Sequence, residues 1–179
     1  MDKIGVFCSG CEPMHPLHVE AACRLGEWIG RTKRTLVYGG ANLGLMECVA
    51  RAVKENGGTV IGVVPSKLEE RGGVSDLLDR VCHTQNLSDR KDVILDESDI
   101  LVALPGGVGT LDEIFHVIAS YTIGYHSKRV VLYNVDGFWD KLVEMIALME
   151  QQGLVRPATS NAYVVADSLE SVISVIDNK

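Results

Sequence analysis

Positive charge is in short supply in this chain. Seventeen Lys and Arg stand against 24 Asp and Glu, a formal net charge of −7 over 179 residues. An acidic surface is not drawn to nucleic acid or to an anionic membrane, although a local basic pocket for one phosphate is compatible with it. Met1-Asp2-Lys3-Ile4 runs straight into a short strand and lacks the apolar region of a signal peptide. No apolar run approaches the length of a membrane span. The five cysteines are odd in number and irregularly spaced, which predicts reduced thiols and a cytoplasmic setting rather than a disulfide framework. Repeats, low-complexity tracts and interdomain linkers are missing as well. With 46% hydrophobic and 23% charged residues, 1–179 reads as a single globular domain large enough to bury a core.

What is present alternates. Short apolar runs at 4–7, 35–38, 59–64, 81–83, 100–104, 129–133 and 162–165 read as strands. Helices are expected at about 16–31, to about 56, from about 88 to 97, from 110, at about 138–151 and from about 168. In the first helix Val19, Ala22, Cys23, Trp28 and Ile29 are the expected core. Gly57-Gly58 signals a helix end. The stretch 66–86 is weakly patterned, with Pro65 stopping the preceding strand and a short helix expected near Leu77. Strands alternating with helices predict an α/β fold, a Rossmann-like, doubly wound parallel sheet in three layers. In such sheets ligands bind beyond the carboxyl ends of the strands, where strand order reverses.

The most informative stretch runs from Asp99 to Glu113. A continuous apolar run, suited to a strand buried on both faces, breaks at Pro105-Gly106-Gly107. It restarts at Thr110 as a helix with Leu111, Ile114, Phe115, Ile118 and Ala119 on one face. A glycine turn from a strand into a helix N-terminus aims backbone N–H groups and the positive end of the helix dipole at one spot, where a phosphate fits. Thr110 and Glu113 are also spaced as a capping box, which would need no ligand at all. Cys8-Ser9-Gly10 and Gly39-Gly40 follow strands in the same way, so three such turns would open on one rim. Lys-Ser/Thr does not follow the last glycine, Gly-x-Gly-x-x-Gly is missing after the first strand, and no acidic residue ends the second strand. A nucleoside triphosphate is therefore not specially indicated, and a nicotinamide cofactor is not expected.

Tyr38-Gly39-Gly40, Gly44-Leu45-Met46, Arg90-Lys91, Pro105-Gly106-Gly107-Val108-Gly109-Thr110-Leu111-Asp112-Glu113 and Leu132-Tyr133-Asn134-Val135-Asp136-Gly137-Phe138 form an ordered set. Over nearly its whole length the chain resembles the LOG ("Lonely guy") family, cytokinin riboside 5′-monophosphate phosphoribohydrolases. The resemblance implies a Rossmann-like fold and a homodimer. It also implies cleavage of an adenine-type nucleoside 5′-monophosphate to free base and ribose 5-phosphate, without metal or organic cofactor. An AMP nucleosidase, or a non-catalytic nucleotide-binding protein on the same fold, is the alternative. By motif, Arg90 and Glu113 correspond to the catalytic pair and Lys91 to a substrate contact. Gly106, Gly107, Val108, Gly109 and Thr110, with Gly39, Gly40 and Ser9, correspond to the phosphate and ribose cradle. A carboxylate near the anomeric carbon stabilises an oxocarbenium-like transition state, and arginine offers a planar fork that lysine lacks. A lysine decarboxylase label is attached to some members, but no pyridoxal phosphate site is visible.

Two positions depart from the family pattern. Ser88 stands where a histidine is usual and reads as a helix N-cap. Arg71-Gly72 stands where many members have Arg-Glu. Cys8, Cys11, His15 and His18 could ligate zinc, but the two pairs lie closer together than zinc sites of this composition usually have them, and no metal is expected. Cys8 and Cys11 could equally form a redox pair, and none is expected either. Cys23, Cys48 and Cys82 read as core. His116 reads as helix surface or pocket lining, and His83 and His126 have no evident partner.

Overall fold

The computed structural model describes residues 1–12 and 14–178. The strands are β1 (Lys3–Phe7), β2 (Thr35–Tyr38), β3 (Thr59–Pro65), β4 (Arg80–Thr84), β5 (Ile100–Ala103), β6 (Val130–Tyr133) and β7 (Tyr163–Ala166). Between and after them run α1 (Pro16–Arg31), α2 (Gly44–Glu55), α3 (Ser66–Glu70), α4 (Leu87–Glu97), α5 (Val108–Ile123), α6 (Asp140–Gln151) and α7 (Leu169–Asp177). All strand pairings are parallel, in the order β4-β3-β2-β1-β5-β6-β7. The chain starts at the sheet centre, winds out to β4, then crosses back to lay β5 beside β1. Strand order reverses between those two strands, whose ends are registered Phe7 to Ala103.

Alternation along the central strands feeds two cores. Ile4, Val6, Leu36, Tyr38 and Val102 meet residues of α1, α2 and α7. Phe7, Val37, Leu101, Ala103 and Leu132 meet residues of α4, α5 and α6. Both faces are covered, so the inner strands are written as apolar runs, whereas the edge strand β4 is largely exposed and polar, and the three-layer expectation holds.

Several local expectations are corrected. In α1 the buried side is Ala21, Ala22, Leu25, Gly26, Ile29 and Gly30, whereas Val19, Cys23 and Trp28 are half-buried. Close approach of α2 is the reason: a Cβ on Gly26 would stand 2.6 Å from the Val49 carbonyl oxygen. Small residues, not large ones, mark that seam. The α4 N-cap is Asn86, not Ser88; its side chain accepts from the Ser88 and Asp89 N–H groups at 2.8 and 3.0 Å. The short helix follows Pro65 directly, and the chain at Leu77 is a turn in which Ser75 Oγ accepts the Leu77 N–H at 3.2 Å. Helix α5 starts at Val108 with Gly107 as N-cap, so Thr110 and Glu113 form no capping box. Its buried positions are Thr110, Glu113, Ile114, Val117 and Ile118, while Phe115 and Ala119 are exposed. No helix among the described residues is long and apolar enough to cross a membrane.

Candidate active site

The ends of β1, β2 and β5 meet at the switch point. Ser9 N donates to the Pro105 carbonyl at 3.3 Å, joining the first turn to the third. Leu45 N donates to the Ser9 carbonyl at 2.9 Å, joining the start of α2 to the same place. Ser9 Oγ accepts the Cys11 N–H at 3.1 Å and so shapes its own loop. Gly40 needs its left-handed backbone, φ +72°, to turn out of β2, and a Cβ there would press on Val64 at 2.6 Å.

Glycine at 39 is explained by an arginine. A Cβ on Gly39 would overlap the Arg90 guanidinium, which occupies that space. Arg90 comes from the first turn of α4; its Nε donates to the Val63 carbonyl at 3.2 Å and its Nη1 to Glu113 Oε1 at 3.4 Å. The two side chains are only 13% and 7% exposed, so their interaction is weakly screened. Burial pushes the Glu113 carboxyl up from 4.5 to about 7; Arg90 and Lys91 pull it back and Asp112 adds to the rise. A carboxyl poised near neutrality beside a fixed cation can both hold and release a proton.

One position along, Lys91 Nζ donates to both carboxylate oxygens of Asp112 at 2.8 Å. Paired in antiparallel order, Arg90 with Glu113 and Lys91 with Asp112 tie α4 to α5. Thr110 is buried beneath the glycine turn, and a Cβ on Gly106 would overlap its hydroxyl. Gly107 and Gly109 face open space. Among the described residues no side chain caps α5, which leaves its first N–H groups directed at that space. Every residue singled out for the site thus lies on or beside this rim, with Val108 84% exposed at its lip.

Two cavities flank the rim. The larger, ≈590 Å³, borders Arg90 and extends over Met46, Leu68, Lys67, Arg71 and Leu87. The smaller, ≈170 Å³, borders Ser9, Gly106, His15, His18 and Phe138. Met46, Arg71 and Arg90 were named from the sequence, whereas Lys67, Leu68 and Leu87 were missed, because they come from the weakly patterned stretch around α3 and from the start of α4. Proline followed by a polar helix was the available signal.

The candidate metal and redox residues do not converge. Cys8 is buried, and burial, with Glu113 and Cys48, pushes its thiol well up, contrary to an activated thiolate. His15 and His18 stack at 5.1 Å, and His18 meets the Phe138 edge. Among the described residues no three His, Cys, Asp or Glu are grouped to hold a metal ion. All five cysteines are free; Cys23, Cys48 and Cys82 are half-buried, with Cys48 and Cys82 packed against the two cores. His116 lies 3.0 Å from Asp92, His83 lies 2.8 Å from Glu69, and His126 accepts the Lys128 N–H at 3.1 Å.

Known proteins resemble the chain over most of its length. A family model described as "Possible lysine decarboxylase" matches residues 46–176. The chain is similar to a rice (Oryza sativa subsp. japonica) protein named "Probable cytokinin riboside 5'-monophosphate phosphoribohydrolase", with 36% identity over 175 residues, 98% of this chain and 77% of the relative. A cytokinin riboside 5′-monophosphate phosphoribohydrolase of Arabidopsis thaliana is 32% identical over the same shares of both chains. Among solved structures, the molybdenum cofactor binding protein from Rippkaea orientalis superposes with a TM-score of 0.75 at 28% identity, covering 97% of this chain and 94% of that one.

Proposed function

Because this chain belongs to the LOG family, the one whose model carries the lysine decarboxylase description, we propose that it hydrolyses the N-glycosidic bond of an adenine-type nucleoside 5′-monophosphate. The products are free base and ribose 5-phosphate. The buried Arg90–Glu113 pair beside an uncapped glycine turn carries this reading. A turn with α5 behind it is sufficient to bind phosphate. A binding protein gains nothing from a carboxyl buried within reach of the same turn.

In the proposed reaction the phosphate lies on the N–H groups of Gly107, Val108 and Gly109, above Thr110. The ribose then lies over Glu113. As the bond from C1′ to the base nitrogen lengthens, positive charge grows on the sugar and the Glu113 carboxylate stabilises it. Water adds its oxygen to C1′ and gives a proton to Glu113, which passes it to the departing base. Arginine stays protonated throughout, so the role of Arg90 is to hydrogen-bond the leaving base and to keep Glu113 ionised when needed. Lys91, held by Asp112, keeps α4 and α5 in register for that contact. No metal or organic cofactor enters the scheme.

We further propose a cytoplasmic homodimer. The free thiols suit that compartment, and an apolar groove of ≈330 Å³ between α5 and the chain after α6, with Phe115, Ile123 and Leu154 exposed, suits a second copy. Sedimentation equilibrium of the protein and of a Phe115→Glu variant tests the dimer. The activity is tested by incubation with AMP and with isopentenyladenosine 5′-monophosphate, followed by chromatography for free base. Release by the protein and none by Glu113→Gln is expected. Binding of both nucleotides with no release by the unaltered protein would leave a nucleotide-binding role instead.

A further inference from the structure

The proposed orientation sends the base away from the glycine turn and past Arg90, into the ≈590 Å³ cavity. That cavity carries positive charge. Lys67, Arg71 and Arg90 border it and no Asp or Glu does, in a chain of net charge −7. Arg90 already gives two of its donors to Glu113 and Val63. Lys67 and Arg71, four positions apart at α3, are exposed and have no carboxylate partner among the described residues. The nearby Glu69 is turned to His83 instead. Gly72, beside Arg71, offers no side chain to neutralise it.

The wall carrying these cations is fixed in place. Asn42 N donates to the Gly73 carbonyl at 3.0 Å, Ser75 N to the Gly40 carbonyl at 2.9 Å, and Gly73 N back to the Leu68 carbonyl at 3.1 Å. The segment after α3 is therefore pinned to the turn that follows β2, which fixes the backbone that carries the cations beside the rim. Between them and Arg90 the surface is apolar, with Met46, Leu68 and Leu87 on it. A bare purine would cover only part of such a cavity, which has the size of a pocket for a larger ligand.

We propose that this cavity seats an adenine bearing an N6-carboxyalkyl substituent, its carboxylate paired with Lys67 and Arg71. The preferred substrate class is then an N6-carboxyalkyl adenosine 5′-monophosphate rather than AMP or an N6-prenyl nucleotide. This rests on the hydrolase reading only for the placing of the phosphate at the glycine turn.

Adenylosuccinate, AMP and isopentenyladenosine 5′-monophosphate serve as probes. Base release and, separately, calorimetric binding are measured with the unaltered protein and with a Lys67→Ala/Arg71→Ala double variant. Adenylosuccinate is expected to exceed both other nucleotides by at least about five-fold, the weight of two rim charge pairs. The double variant is expected to bring its ratio to AMP close to one, and Lys67→Arg to preserve that ratio. If no nucleotide releases base but adenylosuccinate still binds more tightly through the two cations, the hydrolase reading fails and the cavity assignment stands. Tighter binding of the prenyl nucleotide, equal binding of all three, or a preference indifferent to the double variant overturns the assignment.

Discussion

Replacing Glu113 by Gln separates a functional carboxyl from a structural one, because the two roles predict opposite effects on stability. In the fold the Glu113 carboxyl is raised from 4.5 to about 7, burial outweighing the pull of Arg90. A group raised in this way contributes stability that is full below pH 4.5 and is lost as pH rises through about 7. At roughly 1.4 kcal/mol per pH unit, the loss between those limits is about 3 kcal/mol. With the side chain only 7% exposed, solvent screening does not reduce that figure. Glutamine has the same shape and stays neutral, so it avoids the loss. Glu113→Gln should match the unaltered protein near pH 4.5 and be more stable at pH 8 by about 3 kcal/mol, or roughly 6–12 °C in Tm for a chain of this size. Thermal unfolding of both proteins across this pH range, at one protein concentration, reads the difference. If Glu113 is instead a stabilising partner of Arg90, the variant melts lower at pH 8, and the account of a carboxyl held against its solvation preference is wrong.

Three further outcomes follow from the same geometry. The kcat/KM for base release should rise with pH through about 7, since the ionised Glu113 takes the proton from water; a rate falling over that interval would make Glu113 the initial acid. Gly39→Ala should displace the Arg90 guanidinium and lower kcat/KM by about a hundred-fold or more, with circular dichroism unchanged; full activity would mean that Arg90 can work from another position. Gly26→Val should force α1 away from α2 at the Val49 carbonyl and cost about 1–3 kcal/mol in urea unfolding, with KM for nucleotide unaltered.

The inner strands were legible because both faces of the sheet are covered there, which writes them as apolar runs. Two of the glycine turns were legible for a related reason: backbone comes close to a side chain there, Arg90 at Gly39 and Thr110 at Gly106. Less was readable where the deciding contact is distant in sequence. Asn86 rather than Ser88 caps α4 because the chain leaves β4 extended through Asn86, and local composition favours either residue. Phe115 and Ala119 belong by periodicity to the face of Ile114 and Ile118, yet Glu113 and Val117 take the inward positions. Arg90 claims Glu113 across 23 residues of sequence, rotating the buried stripe of α5 by about one position from the purely apolar one. The cavity wall at α3 was unreadable for the opposite reason: its side chains are polar and exposed, and only the hydrogen bonds between the segment after Gly72 and the turn after β2 give it a fixed place.

The pairing of α4 with α5 explains how an exposed contact can support a buried one. Asp112 is 54% exposed and Lys91 15%, so by itself their ion pair is worth at most about 1 kcal/mol. Arg90 and Glu113 are desolvated and joined by a hydrogen bond of 3.4 Å, long for a charged pair. A contact of that length tightens or breaks with a small slide of one helix along the other. The Lys91–Asp112 bridge, one residue away and held at both oxygens, opposes that slide. Asp112→Asn should therefore leave Tm within about 2 °C, as for a surface pair, while lowering kcat more than it raises KM. Exchanging the charges, Lys91→Asp with Asp112→Lys, should recover part of the loss, because the bridge acts through distance and not through the sign of either end. Loss of nucleotide affinity in both variants with kcat unchanged would instead make Lys91 a direct contact to substrate.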